Sequence, residues 1–330
     1  FDRKQATDRL KHLRDEALSS AELTSMYGLK DNRDWKIEAA RKRARDIPES
    51  EAVQLCAYRP FDTRCCILDE AAMDYPRPDL NKHLVGQENF VLLLPRQLAI
   101  TGFQHSFITD LPSESCVIST KTKEQNNNFP LFLYPDESEL DQTRRVNFDP
   151  KLYKQMREKA DLGDESDEAA KAILDYIYGV LHCPAYRETY AEFLKIDFPR
   201  IPWPSSPEVF QELSEKGNQL RRLHLMEPSA MGEAKYPLHG EGDTEIAAGY
   251  PKYKAGAAGL GEVFINEHQR FVGAPEVSWT FWIGGYQPAQ KWLKDRRGRQ
   301  LSTEDLIHYQ RILKVLSETD RIMKTIEMDL

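Results

Sequence analysis

The chain contains no long hydrophobic run. Its apolar stretches, such as Phe90-Val-Leu-Leu-Leu94, are a few residues long, far short of the roughly 20 that cross a bilayer as a helix. A protein without a membrane partner, in the cytoplasm, is the expectation. Cysteine is sparse: Cys56, Cys65, Cys66, Cys116 and Cys183 are odd in number and lack the Cys-x-x-Cys spacing that chelates zinc. Reduced thiols are expected, and in a strand Cys65 and Cys66 face opposite sides and cannot act together. No charged and then apolar leader opens the chain. It starts at Phe1 rather than Met, as a piece of a longer polypeptide would, although trimming or a tag looks the same.

Catalytic motifs are missing as well. There is no Gly-x-x-x-x-Gly-Lys-Ser/Thr phosphate loop and no Asn/Asp-Pro-Pro-aromatic element to hold a flipped adenine's amine. The glycines of Gly256-Ala-Ala-Gly259-Leu-Gly261 have the wrong spacing for a dinucleotide fingerprint. The eight histidines form no His-x-x-x-His pair, so His105 and His182 read as capping or core-edge residues and no metal is expected. These absences argue against an ATPase, a methyl transferase acting within these residues, and a zinc hydrolase.

Negative charge is plentiful but unevenly placed. The net charge is -8, and residues 131–250 hold 14 Lys/Arg against 23 Asp/Glu, a balance of -9. The other 210 residues therefore sum to +1 and can present local basic surfaces to phosphate.

The pattern along the chain predicts a mixed α+β fold. Residues 1–48 are charged and poor in strand formers, with a narrow stripe at Leu10, Leu13 and Leu18. They read as a helical connector broken at Tyr27-Gly28 and Asp31-Asn32. Residues 49–290 read as the main domain. Short β-branched and aromatic runs at 65–68, 90–94, 103–108, 116–119 and 131–134 are parted by turn residues. A helical segment follows at about 151–226, with helices at 152–159, around Ile173 to Val180, at 186–194 and at 208–225. Gly217 weakens the last by about 1 kcal/mol. Residues 227–290 return to strands and turns. Residues 291–330 end in an amphipathic helix opened by Ser302-Thr-Glu-Asp305.

One literal nuclease pattern exists. Asp136, Asp149 and Lys151 follow the Asp…Asp-x-Lys order that can bind magnesium and orient water, although Pro150 is unsuited to a central strand. A module that binds only protein partners within a phage-defence complex is another alternative.

Three stretches carry a stronger signal: Tyr58-Arg-Pro-Phe-Asp-Thr-Arg64; Tyr176-Ile-Tyr-Gly-Val-Leu-His-Cys-Pro-Ala-Tyr186 continuing to Ile196-Asp-Phe-Pro-Arg-Ile-Pro-Trp-Pro204; and Ile283-Gly-Gly-Tyr-Gln287 followed by Lys291-Trp-Leu-Lys-Asp-Arg-Arg-Gly-Arg299. Together the chain resembles, over nearly its whole length, the C-terminal specificity region of type ISP restriction-modification enzymes and related single-chain adenine methyltransferases. It departs at Cys65-Cys66, where aromatic residues are usual, and near His182-Cys183, where Asn or Ser is usual. The Ile-Pro-rich stretch running into the 208–225 helix is similar to the join between recognition domain and spacer helix in type I specificity subunits.

The resemblance implies a strand-rich target recognition lobe with helical connectors and no catalytic residue of its own. It would read double-stranded DNA for methyltransferase and nuclease domains of the same polypeptide. S-adenosylmethionine would bind in that methyltransferase domain, which flips an adenine from the stack. A DNA reader needs Lys/Arg for phosphates and amide or charged groups at base edges. The candidates are Arg59, Asp62, Arg64, Arg77, Lys82, His83 and Arg96, with Lys121, Lys123, Gln125, Asn126 and Asn127 in a polar loop at 121–128. Arg59 and Asp62 could instead pair internally, and Lys252, Lys254 and the basic residues of 291–299 read as solvent-facing.

Overall fold

In the computed structural model, which describes residues 2–48, 53–99, 102–136 and 138–329, the charged N-terminal segment folds into α1 (Arg3–Arg14), α2 (Ser20–Tyr27) and α3 (Ile37–Ala44). Ser19 and Glu22 form a reciprocal capping box on α2, and Gly28 ends that helix at φ 64°, where a glycine avoids the Cβ penalty. Leu10, Leu13, Leu23, Ile37 and Ala44 pack on Val53, Ile67 and Ala71. The helices thus share a small core with the first hairpin. The expected boundary at 48/49 opens onto residues 49–52, outside the described residues.

That hairpin is β1 (Val53–Arg59) against β2 (Asp62–Ile67), antiparallel, with a bulge between Ala57 and Arg59. Cys65 and Cys66 alternate in β2 as expected, but the expectation of reduced thiols is corrected for two residues. Cys56 and Cys66 are joined as a disulfide, their Cα atoms 6.5 Å apart. The register puts Cys66 opposite Gln54, so Cys56 is its diagonal neighbour on the same face. Cys65, Cys116 and Cys183 are free thiols.

After the single-turn helix α4 (Pro78–Asn81) comes a sheet in which β3 (Val91–Pro95) lies between β4 (Phe107–Thr109) and β5 (Asn126–Pro130). All five β3 residues are buried, which is why that run is continuously apolar rather than alternating. β6 (Phe132–Leu133) pairs with β7 (Arg145–Val146). The run at 116–119 is apolar for another reason than strand formation. Val117 and Ile118 are fully buried in an irregular segment whose amide at Val117 donates to Asn126 Oδ1 (2.9 Å).

The helical segment contains α5 (Pro150–Ala160), α6 (Asp167–His182), α7 (Pro184–Thr189), α8 (Ala191–Ile196), α9 (Pro207–His224) and α10 (Pro228–Met231). The single helix expected at 186–194 is two short ones, divided at Tyr190. Gly217 sits mid-helix because α9 crosses α6 backbone to backbone. A Cβ there would lie 1.7 Å from the Asp175 carbonyl oxygen, and one at Gly179 would lie 2.3 Å from that of Leu213. Asp175 and Arg221, both buried, form a two-pronged pair across the crossing (2.6 and 2.9 Å).

The last part is an antiparallel sheet of β8 (Leu238–His239), β9 (Lys252–Ala255), β10 (Leu260–Phe264) and β11 (Arg270–Pro275) in the order β8-β11-β10-β9, then α11 (Glu276–Thr280), α12 (Pro288–Lys294) and α13 (Thr303–Met323). Ser302 and Asp305 form the expected capping box of α13. Its Tyr309, Ile312, Leu313 and Leu316 join the main core with β3, α6 and α9. The class is the mixed α+β one that the sequence predicts.

Candidate functional site

The stretches that carry the resemblance meet in space and brace one another. Arg296 forks onto the buried Asp62 carboxylate (2.8 and 3.2 Å) while its guanidinium lies 3.6 Å from the Trp292 ring centre. His308 Nε2 donates to the Phe61 carbonyl (2.7 Å). Burial holds the pKa of His308 below its ordinary value, which favours the neutral ring. Gly284 and Gly285 donate to the carbonyls of Gln104 (2.7 Å) and Ile118 (2.8 Å), and the Tyr286 hydroxyl to that of Cys116 (3.0 Å). Gly284 has φ 57°, and a Cβ on it would stand 1.9 Å from the Ile118 oxygen. Only glycine permits that approach.

In front of this brace lies a cleft of about 1340 Å³, bounded by the β1–β2 hairpin, residues 68–81 and residues 113–128. Seven of the twelve candidates line it: Arg64, Arg77, Arg96, Lys123, Gln125, Asn126 and Asn127. Arg64 stacks on Tyr58, 3.5 Å from the ring centre, with Asp62 at 3.6 Å and Asp295 at 3.7 Å. Burial lowers its pKa despite those carboxylates. Arg77 is exposed and left-handed (φ 52°), and Arg96 pairs with Asp197 at the exposed rim (3.1 Å).

Residues 121–128 are not the open loop expected. A turn of 3-10 helix at Thr122–Glu124 leads into β5, whose Asn126, Asn127 and Asn128 pair with β3. Asn126 spends its amide on structure. Its Oδ1 accepts from Val117, and its Nδ2 donates to the Glu114 carbonyl (3.2 Å) and to Asn128 Oδ1 (2.9 Å). Gln125 and Asn127 are exposed, and their amides make only long contacts, to Cys116 Sγ (3.6 Å) and the Leu94 carbonyl (3.4 Å).

The other five candidates lie outside the cleft lining. Arg59 is buried, ion-paired with Glu114 and stacked on Tyr58. Burial opposes its charge, yet Glu114 and the neighbouring tyrosines hold its pKa above the ordinary value. Asp62 belongs to Arg296. Arg59 and Asp62 are backbone partners in the hairpin, but their side chains take these different partners. Lys82 pairs with Asp136 (2.8 Å). His83 Nδ1 accepts from the Tyr134 amide (2.9 Å), and burial, aided by Lys82, lowers its pKa. Lys121 lies 3.6 Å from Glu124.

Glu124 itself went unmarked in the sequence, where one acid among polar residues reads as solvated. It is wholly buried and accepts from the Ala99 amide (2.9 Å) and the Ser119 hydroxyl (2.7 Å), with His105 Nε2 at 3.3 Å. Burial alone would raise its pKa, but these donors outweigh it and leave the pKa lowered. An ionised Glu124 therefore pins the segment that carries Lys123 and Gln125.

The nuclease alternative has no geometry behind it. The Asp149 carboxylate caps α5 by accepting from the amides of Lys151 and Leu152 (both 3.0 Å), and Asp136 is engaged by Lys82. Among the described residues no group of three or more His, Cys, Asp or Glu could hold a metal ion, and no helix is long and apolar enough to cross a membrane.

Comparison with known proteins places this architecture. The Type ISP C-terminal specificity domain family matches residues 1–325. Similar solved structures include the cryoEM structure of a DrdV–DNA complex (22% identity, TM-score 0.69, covering 99% of this chain and 33% of that one). Another is a nuclease-deletion mutant of the Type ISP restriction-modification enzyme LlaGI in complex with a DNA substrate mimic (18%, 0.60, 99% and 30%). A third is the ATP-dependent Type ISP restriction-modification enzyme LlaBIII bound to DNA (17%, 0.65, 98% and 22%). At these identities the likeness is one of fold, and the chain spans a third or less of each protein's length. No curated protein matches the chain.

Proposed function

Because this chain belongs to the Type ISP C-terminal specificity domain family, we propose that it reads base sequence in double-stranded DNA on behalf of a restriction-modification adenine methyltransferase of which it forms the C-terminal part. One observation carries the reading. Lys123, Gln125 and Asn127 project from one short, buried-anchor segment into a cleft that also receives Arg64, Arg77 and Arg96. The lining holds four cations against two carboxylates, Asp79 and Glu114, in a chain of net charge -8. Glu114, moreover, is already paired with Arg59. Cations supply affinity for phosphates without sequence information, and side-chain amides supply the bidentate hydrogen bonds that tell adenine from other bases in the major groove.

On this reading the work is divided by residue. Arg77, Arg96 and Lys123 contact phosphate; Gln125 and Asn127 contact base edges. Arg59, Asp62, Asn126 and Glu124 hold the reading surface in shape, while Lys82, His83 and Lys121 sit behind or beside it. Residues 1–48 form the connector from the methyltransferase, 49–290 the recognition domain with its helical segment, and 291–330 the closing element on its back. Methyl transfer, with its S-adenosylmethionine and its flipped adenine, takes place in the methyltransferase domain. A cytoplasmic location follows from a chromosomal substrate.

The test uses the whole enzyme. Gln125→Ala and Asn127→Ala are introduced singly and the modified adenines of the host genome are mapped. Loss of a bidentate base contact costs about 1–3 kcal/mol and relaxes one position of the motif. An unchanged motif after both replacements, together with exchange of Arg64 and Arg77, would refute the assignment.

A further inference from the structure

The two walls of the cleft differ in chemistry. Residues 113–128 present hydroxyls, amides and a lysine, whereas residues 68–81 turn Leu68, Met73, Tyr75, Pro76 and Leu80 toward the same space. Tyr75 is 53% exposed, and with Met73 and Leu80 beside it in the lining it belongs to an apolar patch rather than standing as a lone exposed ring. The lip is held from behind rather than buried. Arg33 Nη2 donates to the Tyr75 hydroxyl (3.2 Å), Asn32 Nδ2 to both oxygens of Asp74 (3.1 and 3.0 Å), and Trp35 Nε1 to the Ala71 carbonyl (3.4 Å). Arg43 forks onto Asp69 (3.0–3.2 Å). The N-terminal segment, through the α2–α3 connection and Arg43 of α3, therefore fixes the position of this wall and leaves its apolar face open. Arg77, with its guanidinium 5.4 Å from the Tyr75 ring centre, adds a cation to the same lip.

An apolar surface inside a basic cleft needs an occupant that is both anionic and locally apolar. Duplex DNA meets that requirement at one kind of atom in its major groove, the C5 methyl of thymine, which otherwise equivalent hydrogen-bonding edges do not carry. Resting on the DNA-reading assignment above, we infer that the lip formed by Met73, Tyr75 and Leu80 reads thymine methyl groups, opposite the hydrogen-bonding readers Gln125 and Asn127. The two walls then divide one base-pair step between them by chemistry. Burying a methyl group contributes about 0.8 kcal/mol, about fourfold in Kd.

The experiment takes the full enzyme and its mapped motif and replaces each thymine of the site in turn by deoxyuridine, which keeps every hydrogen-bonding group and removes only the methyl. At one or more positions Kd should weaken about threefold to tenfold. That penalty should vanish in Tyr75→Ser or Met73→Ala, survive in Tyr75→Phe, and survive in Lys123→Ala, whose contact is with phosphate. Tyr75 lies on the surface, and unchanged thermal unfolding of Tyr75→Ser separates a lost contact from a lost fold. The inference is overturned if deoxyuridine is tolerated at every site thymine, or if the penalty persists undiminished in both lip variants. In those cases a motif that still shifts with Gln125 and Asn127 leaves DNA reading intact. A motif that ignores both walls removes the two assignments together.

Discussion

Replacing Gly217 by Ala should destabilise this protein even though alanine is the better helix former. In an isolated helix the change would gain about 1 kcal/mol. Here the new Cβ would stand 1.7 Å from the Asp175 carbonyl oxygen and 2.8 Å from the Gly179 nitrogen. Both obstacles are backbone, so no rotamer relieves them and α6 and α9 must separate by about 1.5 Å to reach ordinary contact. Separation strains what the crossing carries: the Asp175–Arg221 pair, the Ser214 hydroxyl donating to the Ala172 carbonyl (2.9 Å), and the Tyr176 ring stacked on Phe210 (5.0 Å). Overpacking of a core costs about 1–3 kcal/mol on its own, and the loosened buried pair brings the expected net loss to about 3 kcal/mol. With an unfolding entropy of about 2.1 cal/mol/K per residue, that loss over a chain of this length lowers Tm by about 4 °C. Scanning calorimetry measures it directly. A Tm at or above that of the parent protein would show that the helices do not cross in backbone contact, and the account of Gly179 would fail with it.

Three further outcomes follow. Arg296→Met leaves the buried Asp62 carboxylate with only the more distant Arg64 (3.6 Å) and should cost about 3 kcal/mol in urea unfolding; a loss under 1 kcal/mol would mean that the brace is ornamental. Lys123→Ala should weaken binding to all duplexes alike and reduce the slope of log K against log salt by about 1, and an unaltered slope would remove Lys123 from the phosphate contacts. Acid should destabilise the fold through His182 and His224, both deeply buried. Burial holds the pKa of His182 well below the ordinary histidine value and that of His224 at about 3. Both are neutral in either state above about pH 6.5. Below it the unfolded chain takes up protons that the folded one does not, so stability falls progressively as the pH drops toward 3, with His224 alone contributing about 1.5 kcal/mol between pH 6.5 and 5. A urea midpoint that stays level between pH 7 and 5 would contradict that burial.

The long helices were legible because a 3.6-residue period survives in Ile173, Ile177 and Val180 and because Ser302 and Asp305 mark a start that needs no tertiary partner. Short strands were less so. Val117 and Ile118 look like a strand, yet their backbone bonds go to the Asn126 side chain and to Gly285, the latter far along the chain. The Cys56–Cys66 link escaped for the same reason, since it exists only in the register of the hairpin. Of the candidate DNA contacts, Arg77, Lys123, Gln125 and Asn127 line the cleft. Arg59 and Asp62 are equally polar in sequence but are consumed by Glu114 and Arg296. No local pattern distinguishes an arginine that faces phosphate from one that is itself buried against a carboxylate 55 residues away.

This division bears on how such a domain can change its target. The stretches that carry the family likeness do not face the cleft through their most distinctive groups: Asp62, Gly284, Trp292 and Arg296 are spent on one another and on the backbone behind it. The segment in front alternates between hydrogen-bonded anchors, Glu124 and Asn126, and exposed side chains, Lys123, Gln125 and Asn127, to which the proposed reading assigns the DNA contacts. Specificity can then be altered at outward positions without disturbing the brace, because each inward neighbour keeps its own hydrogen bonds. An exchange of residues 121–128 with those of a relative should transfer target preference only when an acid is kept at 124 and an asparagine at 126. Losing Glu124 leaves the buried Ser119 hydroxyl without its acceptor, a cost of about 1–3 kcal/mol, and removes the partner of the Ala99 amide. That cost would be seen as weaker binding to every site rather than as a new motif.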